Sequence, residues 1–323
     1  MGRDGLRTPM HDGGQRMIRQ RPYQENDLER VLHLLITYRG AGYVNRYPTV
    51  WRLKLLMSSR LWDERDATLW EDEPGKIIGF AMLSKRTAEG TAYGLERVIH
   101  PTQNRTEIAE AILNWSSQRL TEIARERHTA LTVGVAPFEQ DTDQDITLLE
   151  SRGFTLMQNG YNVYMGCGLE KPIEAPVLPI GYEIEPLIES ELAEYQALYG
   201  FAAVMLEHQK ELIYHPQYQH LVIKNPVGKM VAYLECSFSR EEWFRSRQQI
   251  GWIDYVETHA DYQGQGLGLA LMRTGLQHLK AHDAAQAMLI TTHDNIAGQH
   301  LYHKAGMEIM AEERVYSKTI SAE

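Results

Sequence analysis

The sequence is poor in cysteine and has no long apolar run. Only two cysteines, Cys167 and Cys236, occur among its 323 residues, which excludes a disulfide framework and is typical of a reducing compartment. No stretch approaches the roughly 20 apolar residues that a transmembrane helix needs. Residues 1–16 are polar and glycine-rich, without the apolar centre of a secretory signal. We therefore expect a cytoplasmic protein with a disordered tail over residues 1–16 and no membrane partner.

Positive charge is also scarce. The formal net charge is −10, and from Gly181 onward the chain carries 19 Asp and Glu against 11 Lys and Arg. Nucleic-acid binding requires a basic stripe, and the sequence has none. This charge distribution excludes a nucleic-acid partner and suits a cationic small molecule better.

Three segments of the chain recur in the same order. "IRQRPYQENDLERVLHLL" from Ile18 resembles "YEIEPLIESELAEYQALY" from Tyr182, and "GKIIGFAML" from Gly75 matches "GKMVAYLEC" from Gly228. "LLESRGF" at 148–154 likewise matches "LYHKAGM" at 301–307. Such repetition predicts two copies of one mixed α/β domain. We call residues 17–166 the first half and residues 181–323 the second half, with a proline-containing linker predicted over 167–180. Nothing in the pattern indicates the oligomeric state.

The second half contains a loop rich in glycine. "DYQGQGLGLALM", residues 261–272, places three glycines just ahead of a predicted amphipathic helix with an apolar stripe. Each glycine costs about 0.5 to 1 kcal/mol of conformational entropy. One explanation is a sharp turn that needs positive φ. The other is that bare backbone N–H groups at the start of a helix bind an anion such as a phosphate.

The residues around this loop resemble the GNAT superfamily of acetyl-CoA-dependent N-acyltransferases. The loop fits that family's glycine signature, and "DNIAGQHLYHKAGM" from Asp294 resembles its Asn-containing helix, with Met307 in place of the usual aromatic residue. The duplication resembles the arrangement of the mycothiol synthase family. The resemblance implies an α/β (α+β) fold with a mixed sheet in each of two tandem GNAT-like domains, and acetyl-CoA as cosubstrate.

The resemblance also implies a set of cofactor-binding residues in the second half. The loop amides would hold the pyrophosphate of coenzyme A, the backbone of two strand residues would pair with its pantetheine arm, and an asparagine would contact it from the last helix. In this sequence these positions are Val256, Thr258, Gln263, Gly264, Gln265, Gly266, Leu267, Gly268 and Asn295.

The first half lacks the equivalent features. Aligned on the sequence from Asn104, Arg105 and Glu107 occupy the places of two loop glycines, and Leu149 stands at the position of Tyr302. Side chains there would obstruct the backbone, and a glutamate would repel phosphate. We therefore predict that the first half has lost cofactor binding and serves structure or substrate enclosure. A weakened cofactor site remains the alternative.

The strand "GWIDYVETH" before the loop offers candidates for a general base. In the family the base is often a carboxylate on this strand, which here carries Asp254 and Glu257. Since side chains alternate along a strand, only one of the two is expected to face the cleft. The family spacing puts Trp252, Asp254 and Val256 on one face, which favours Asp254. Glu257 is the second candidate, and Glu235 on the preceding strand is the third.

Tyr302 is the expected general acid, since the family uses a tyrosine on the last helix to protonate the departing thiolate. The alternative is a half-buried core tyrosine. No metal is expected, because His293, His300 and His303 lack a further ligand in a recognisable pattern. The aromatic-rich segment at 43–62 is predicted to be helical, and it either lines the acceptor cleft or only packs.

These features together predict an enzyme. We expect direct acetyl transfer from acetyl-CoA to a primary amine of a small molecule, because no serine or cysteine stands in a recognisable nucleophile-and-base arrangement. Two alternatives stay open. One is a non-catalytic CoA-binding or protein-interaction module, and the other is an acetyltransferase that acts on a protein or peptide amine.

Overall fold

The described part of the chain covers both halves. The structure is a computed structural model, and it describes residues 18–43, 48–58, 62–73, 75–86, 89–103, 105–137, 142–199, 210 and 212–322. The tail predicted over residues 1–16, and Asn104 of the first-half loop, lie outside these ranges. Within them, each helix is too short or too polar to cross a lipid bilayer.

Apart from two helices, the described elements follow the same order in each half. The strands are β1 (Arg19–Pro22), β2 (Ala67–Glu71), β3 (Ile77–Lys85), β4 (Ala92–Ile99), β5 (Leu131–Val135), β6 (Thr155–Gly168), β7 (Glu183–Pro186), β8 (Tyr218–Lys224), β9 (Met230–Phe238), β10 (Ile250–Thr258), β11 (Gln286–Thr292) and β12 (Glu308–Ile320). The α-helices are α1 (Leu28–Tyr38), α2 (Val50–Ser58), α3 (Arg105–Arg127), α4 (Thr142–Ser151), α5 (Leu192–Tyr199), α6 (Arg240–Ser246), α7 (Leu267–Ala281) and α8 (Ile296–Lys304). A short π-helix, Arg39–Tyr43, follows α1. The predicted strand, loop and helix order of the second half is confirmed.

All twelve strands form one mixed sheet, in which the two halves exchange their last strands. The order is β1-β2-β3-β4-β5-β12-β6-β11-β10-β9-β8-β7. Strand β12 of the second half pairs antiparallel with β5 of the first, and β6 of the first half pairs antiparallel with β11 of the second. The mixed sheet predicted from the sequence is thus confirmed. The prediction placed one such sheet in each repeat, but the strand exchange joins the two repeats into one continuous sheet.

The exchanged strands also enter the opposite cores. Val163 and Met165 of β6 pack in the second-half core beneath α7, and Tyr316 and Ile320 of β12 pack in the first-half core beneath α3. The boundaries predicted from the repeats therefore separate the two copies along the sequence, but each packed core contains a strand from the other copy. Neither core is completed by its own half alone.

Helix α7 packs on the sheet through one apolar face. Its buried residues recur three and four positions apart, as a helix with one face on a sheet requires. They are Leu267, Ala270, Leu271, Met272, Gly275, Leu276 and Leu279. Gly275 permits close approach, because a Cβ there would lie 2.8 Å from Leu234 of β9. This packing fixes where the helix begins, and so where the glycine loop lies.

The segment predicted as a linker lies along α7. Cys167 and Gly168 still belong to β6, and the chain beyond them is held by side chains of the helix. Lys280 donates to the carbonyl oxygens of Glu170 and Lys171, at 3.1 and 2.7 Å. Arg273 is paired with Glu174. The segment is therefore docked on the helix from Glu170 to Ala175.

Both halves open between two neighbouring parallel strands. Strand β10 pairs with β11 only over Ile250–Trp252, and β4 pairs with β5 only over residues 92–94. Beyond these short ladders the strands separate. The opening between β10 and β11 points toward the glycine loop, because that loop continues directly from β10.

Candidate active site

A large cavity lies where the two halves meet. Its volume is about 920 Å³, and its walls come from β10, β11 and α8 of the second half and from α1, α2 and β4 of the first. This volume lies within the range of small-molecule sites, roughly 300 to 1,000 Å³. The cavity begins at the opening between β10 and β11, so a molecule held by the glycine loop can extend into it.

The glycine loop has a backbone that only glycine adopts readily. Gly264 and Gly266 have φ of +77° and +83°, in the left-handed region. A Cβ built at either position would meet no heavy atom within 4 Å, so the loop is open on the side where side chains are missing. The turn explanation is thus confirmed for these two residues, and the open surroundings leave room for a ligand as well.

The start of α7 provides donors for an anion. Gly266 precedes the helix, and its carbonyl accepts the first helical hydrogen bond, from Ala270 N–H at 3.0 Å. The N–H groups of Leu267, Gly268 and Leu269 therefore precede the first helical bond, as at any helix start. The first turn contains no acidic residue, which keeps the positive end of the helix dipole available. These residues fit a diphosphate.

The two glutamines of the loop make contacts that shape it. Gln263 donates from Nε2 to the carbonyl of Thr258 at 3.1 Å, and Gln265 accepts through Oε1 from the Tyr182 hydroxyl at 3.2 Å. Gly268 is needed for packing rather than for its φ, since a Cβ there would lie 3.2 Å from Leu301. The six motif residues thus have three roles. Gly264 and Gly266 form the turn, Gln263 and Gln265 hold it in place, and Leu267 and Gly268 begin the helix.

The open edge of β10 agrees with the predicted strand-like pairing. His259 N–H donates to Val231 of β9, so the alternation of an antiparallel ladder turns the backbone of Val256 and Thr258 away from β9, toward the opening. The Thr258 carbonyl is occupied by Gln263. The Val256 backbone is the better placed of the two for an extended ligand.

A β-bulge at Asp254 changes which side chains share a face. Ile253 pairs with Cys236 and Tyr255 with Glu235, so Asp254 is the extra residue. The prediction that Trp252 and Val256 share one face is therefore wrong: Val256 packs on the α7 side, and Trp252 lies in a separate cluster with Tyr164.

The same bulge overturns the expectation that only one strand carboxylate reaches the cleft. Asp254 and Glu257 both line the cavity, because the extra residue interrupts the strict alternation between them. The choice between the two carboxylates therefore depends on their environments.

Asp254 carries the most perturbed carboxyl group of the cavity. The residue as a whole is half-buried, yet its Oδ2 atom is buried and has no hydrogen-bond partner among the described residues. Burial raises the pKa of this carboxyl to about 7, and the negative charge of Glu235 adds to the rise. The Ser237 hydroxyl, the positive charge of Arg52 and the Thr49 hydroxyl, 3.4 Å from Oδ1, oppose the rise in the pKa. A carboxyl with a pKa near 7 exchanges protons readily at neutral pH.

Glu257 and Glu235 have different environments. Glu257 is exposed at the cavity wall and accepts one hydrogen bond, from the Tyr233 hydroxyl at 3.0 Å. Glu235 is only 3% exposed. It accepts from the hydroxyls of Tyr195 and Tyr218 and lies 3.6 Å from a nitrogen of His220. Glu235 does not line the cavity and cannot reach a substrate there.

Tyr302 lies in α8 and lines the cavity from the side opposite β10. It is 7% exposed, and burial raises the pKa of its phenol, which keeps it protonated at neutral pH. Asn295 caps the same helix, since its Oδ1 accepts from Gly298 N–H at 3.0 Å while its Nδ2 donates to Thr291. Asn295 also lines the cavity. The structure thus brings Asp254, Glu257, Tyr302 and Asn295 to one cavity.

The equivalent opening in the first half is crossed by the Arg97 side chain, and its strands β4 and β5 line the same cavity. Arg97 of β4 pairs with Ala81, as Val256 pairs with the equivalent Leu234. Its guanidinium forms a buried ion pair with Asp145 of α4 and donates to the carbonyl of Ala136 at 2.9 Å. Strands β3 and β4 also pair without a bulge. The first half therefore lacks any counterpart of Asp254.

The first-half loop differs from the predicted alignment. Helix α3 begins at Arg105, so Arg105 corresponds to Leu267 and not to a loop glycine. Only five residues separate β4 from α3, whereas eight separate β10 from α7. Glu107 lies exposed in the first turn of α3, where its charge opposes anion binding. Leu149, at the position of Tyr302, is fully buried. Loss of cofactor binding by the first half stays a prediction.

The segment predicted over 43–62 to line the cleft or only to pack contains Arg52, which lines the cavity, but sequence reasoning missed the contact of Thr49 and Arg52 with Asp254. Thr49 and Arg52 reach Asp254 across 205 positions of chain. Thr49 has the pattern of a helix N-cap, but a cap alone does not indicate a contact with the other half. The histidines at 293, 300 and 303 belong to no group of metal-ligating side chains that the described residues form.

Comparisons with known proteins agree with this geometry. Residues 184–307 match the model of the Acetyltransferase (GNAT) family. A mycothiol acetyltransferase from Streptomyces scabiei is 24% identical over 257 residues, covering 74% of this chain and 76% of the relative. A tandem GNAT protein from the clavulanic acid biosynthesis pathway superposes with a TM-score of 0.67 at 14% identity, over 94% of this chain and 99% of that one. A GCN5-related N-acetyltransferase from Sphaerobacter thermophilus gives a TM-score of 0.62 at 16% identity, over 94% and 96% of the two chains.

Proposed function

We propose that the chain is a tandem GNAT-type N-acetyltransferase whose second half binds acetyl-CoA and transfers the acetyl group directly to a primary amine of a small molecule. One observation carries the proposal. The start of α7, with its open N–H groups, and the buried carboxyl of Asp254 lie at the two ends of the opening beside β10. A phosphate-bearing acyl donor and an amine acceptor would meet between them.

The residues that would hold acetyl-CoA all belong to the second half. The amides of Leu267, Gly268 and Leu269 suit its diphosphate, and the free backbone of Val256 suits its pantetheine arm. When bound, the cosubstrate supplies an acetyl group activated as a thioester. Gln263 and Gln265 act indirectly, because both brace the loop. Asn295 contributes by fixing the start of α8.

Asp254 is the proposed general base. An alkyl amine with a pKa near 10 is mostly protonated at neutral pH, and exposing its lone pair costs about 4 kcal/mol at pH 7. The ionised Asp254 carboxylate first attracts the ammonium group and then accepts its proton, directly or through one water. Glu257 supplies a second negative charge at the cavity wall. These two carboxylates on β10 would attract a cationic amine to that part of the cavity.

Tyr302 is the proposed general acid, placed to give its phenolic proton to the departing sulfur. Neither cysteine is suited to act as a nucleophile instead. Burial raises the pKa of the Cys167 thiol to about 11 and that of Cys236 well above its usual value. The thiolate, which is the reactive form, is therefore a very small fraction of either cysteine at neutral pH. This supports direct transfer without an acyl-enzyme.

We expect Tyr302→Phe to lower turnover by roughly 10- to 150-fold while the Michaelis constant for acetyl-CoA changes little. The lost hydrogen bond to a developing charge is worth roughly 1.5 to 3 kcal/mol, and each 1.36 kcal/mol is a factor of ten in rate. Steady-state kinetics with saturating amine measures both constants. Tyr316→Phe is a control, since Tyr316 is buried in the first-half core. Unchanged turnover in Tyr302→Phe would rule out the acid role.

The rate should depend on pH through Asp254. The base acts when it is ionised, so kcat/KM should rise as pH increases through about 7. Asp254→Asn should abolish this acidic limb. A profile that instead rises only near the pKa of the free amine would place the proton transfer in solution.

An acceptor screen tests the function as a whole. Thiol release from acetyl-CoA would be followed across polyamines, amino acids, aminoglycosides and peptide amino termini. The size of the cavity, and relatives named mycothiol acetyltransferase, favour a small-molecule acceptor. Release with peptides alone would instead support a protein or peptide amine. CoA binding without release on any amine would support a non-catalytic module.

A further inference from the structure

We propose that the first half completes the catalytic centre of the second, with Thr49 and Arg52 acting as positioning residues for the Asp254 carboxylate. This inference rests on the proposed function of Asp254 as the base. It assigns a direct role in catalysis to a half that has no glycine loop and no counterpart of Asp254 or Tyr302 of its own.

The Thr49 hydroxyl forms one hydrogen bond in each half: it accepts from Arg52 N–H and donates to Asp254. Thr49 caps helix α2: its Oγ1 accepts from Arg52 N–H at 3.1 Å, and its carbonyl accepts from Leu53 N–H at 2.9 Å. A hydroxyl has one proton to donate, and the cap uses only an acceptor site. The proton is therefore directed to Asp254 Oδ1, 3.4 Å away. Since Thr49 is only 2% exposed, water has little access to compete for it.

Three charged or titratable groups surround the same carboxylate. Arg52 faces it from α2 and favours its ionised form, as does the positive end of that helix. Glu235 and the Cys236 thiol face it from β9, and Glu235 disfavours ionisation. Ser237 of β9 and Arg52 and Thr49 of the first half favour the charged base, while Glu235 of β9 opposes it.

Two buried contacts hold α2 in this place. The indole Nε1 of Trp51 donates to the carbonyl of Phe238, at the end of β9, at 2.7 Å. Arg39, 1% exposed, forms a two-point ion pair with Glu242 of α6, at 2.6 and 2.9 Å. Arg39 also donates to the carbonyl of Pro48, next to Thr49. These contacts clamp the start of α2 to the second half on both sides of Thr49.

The geometry makes the position of the base depend on the junction between the halves. Because the sheet exchanges its last strands, the halves cannot shift independently without breaking the β5–β12 or β6–β11 ladders. The clamp and the exchanged strands together keep Thr49 at a fixed distance from Asp254.

The test uses the full-length protein without ligand. The titration of the Asp254 carboxyl would be followed by carboxyl-carbon NMR in protein labelled at aspartate, with Asp254→Asn identifying the signal. We compare Thr49→Val, which removes the donor, with Thr49→Ser, which keeps it. We also compare Arg52→Met with Lys54→Met, which removes a charge from the same helix at a residue that does not line the active-site cavity.

The expected result is a rise in the midpoint of the Asp254 titration of about one unit in Arg52→Met, a smaller rise in Thr49→Val, and no change in Thr49→Ser or Lys54→Met. The acidic limb of kcat/KM should move by the same amounts, so activity lost at pH 6.5 returns at pH 9. Equal midpoints in all four variants would overturn the inference.

The outcome separates this inference from the proposed function. If the midpoints shift as expected but wild type transfers acetyl to no amine, the positioning holds and the enzyme assignment fails. If wild type is active and the variants lose activity equally at every pH, the residues act on folding or on acceptor binding, and the positioning role is wrong.

Discussion

Gly266→Glu is expected to weaken CoA binding by at least roughly 100-fold while the protein stays folded. The residue has φ of +83°, a conformation that costs an L-amino acid roughly 1 to 2 kcal/mol. Relief of that strain turns the loop amides away from the ligand, and the new carboxylate lies where a diphosphate would bind. Losing two hydrogen bonds to a charged group, at about 1.5 kcal/mol each or more, accounts for the expected factor. Isothermal titration with CoA measures it.

Two further variants make this experiment decisive. Gly75→Glu is the matched control, because Gly75 also has positive φ, 94°, and open surroundings, but lies in the turn between β2 and β3 of the first half. It should bind CoA as wild type does. Gly266→Ala adds strain without charge, so its loss should be intermediate. Wild-type affinity in Gly266→Glu would show that the loop is only a turn.

Asp254→Asn is expected to reduce turnover by about 100- to 10,000-fold at pH 8, the range for loss of a general base. Asparagine preserves the shape and can still accept from Thr49, so CoA affinity should not change. Glu257→Gln is the matched control, since it removes a carboxylate from the same strand and the same cavity wall. It should weaken amine binding through lost charge attraction and leave turnover nearly intact. The opposite pattern would transfer the role of base to Glu257.

The same substitution should make the protein more stable at alkaline pH. The pKa of Asp254 is about 7 in the folded protein, against 3.8 for an exposed aspartate. Between these values the folded state binds more protons than the unfolded state, so the free energy of unfolding falls as pH rises. Above pH 7 the accumulated cost is about 4 kcal/mol, at 1.36 kcal/mol per unit.

Denaturant unfolding at two pH values tests this expectation. Asp254→Asn should exceed wild type by a few kcal/mol at pH 8, and the difference should vanish well below pH 3.8, where the aspartate is protonated in both states. A gain in stability together with a loss of turnover indicates a buried group retained for chemistry. Destabilisation at pH 8 would instead indicate a structural carboxylate.

The exchange of the last strands suggests why the two repeats stay on one chain. Each core takes a strand from the other repeat, and the cavity takes walls from both. A half without its own cofactor loop still contributes a core strand, an acceptor wall and the contacts to Asp254. Loss of its cofactor site would therefore leave its structural contributions in place.

Local features of this protein could be predicted from sequence because their causes are local. The positive φ of Gly264, Gly266 and Gly306 follows from the glycines at the ends of helices. The amphipathic pattern of α7 and the duplicated order of elements likewise predicted the fold of each repeat. The glycine motif together with Tyr302 and Asn295 placed the candidate site in the second half.

Sequence periodicity could not show the bulge at Asp254, since one extra residue leaves no mark in the apolar pattern of β10. That bulge decides which carboxylates face the cavity. The same holds for the first-half alignment, where loop length and helix start, not residue similarity, show that Arg105 begins α3.

By itself the sequence determined the duplicated α/β fold, the glycine loop and the residues of the second half that could do the chemistry, because short-range spacing and backbone preference specify them. Only the tertiary structure decided the strand exchange, the joint cavity and the contact of Thr49 with Asp254. These depend on how two distant segments pack, and the free energy of that packing is spread over many weak contacts that no local pattern records.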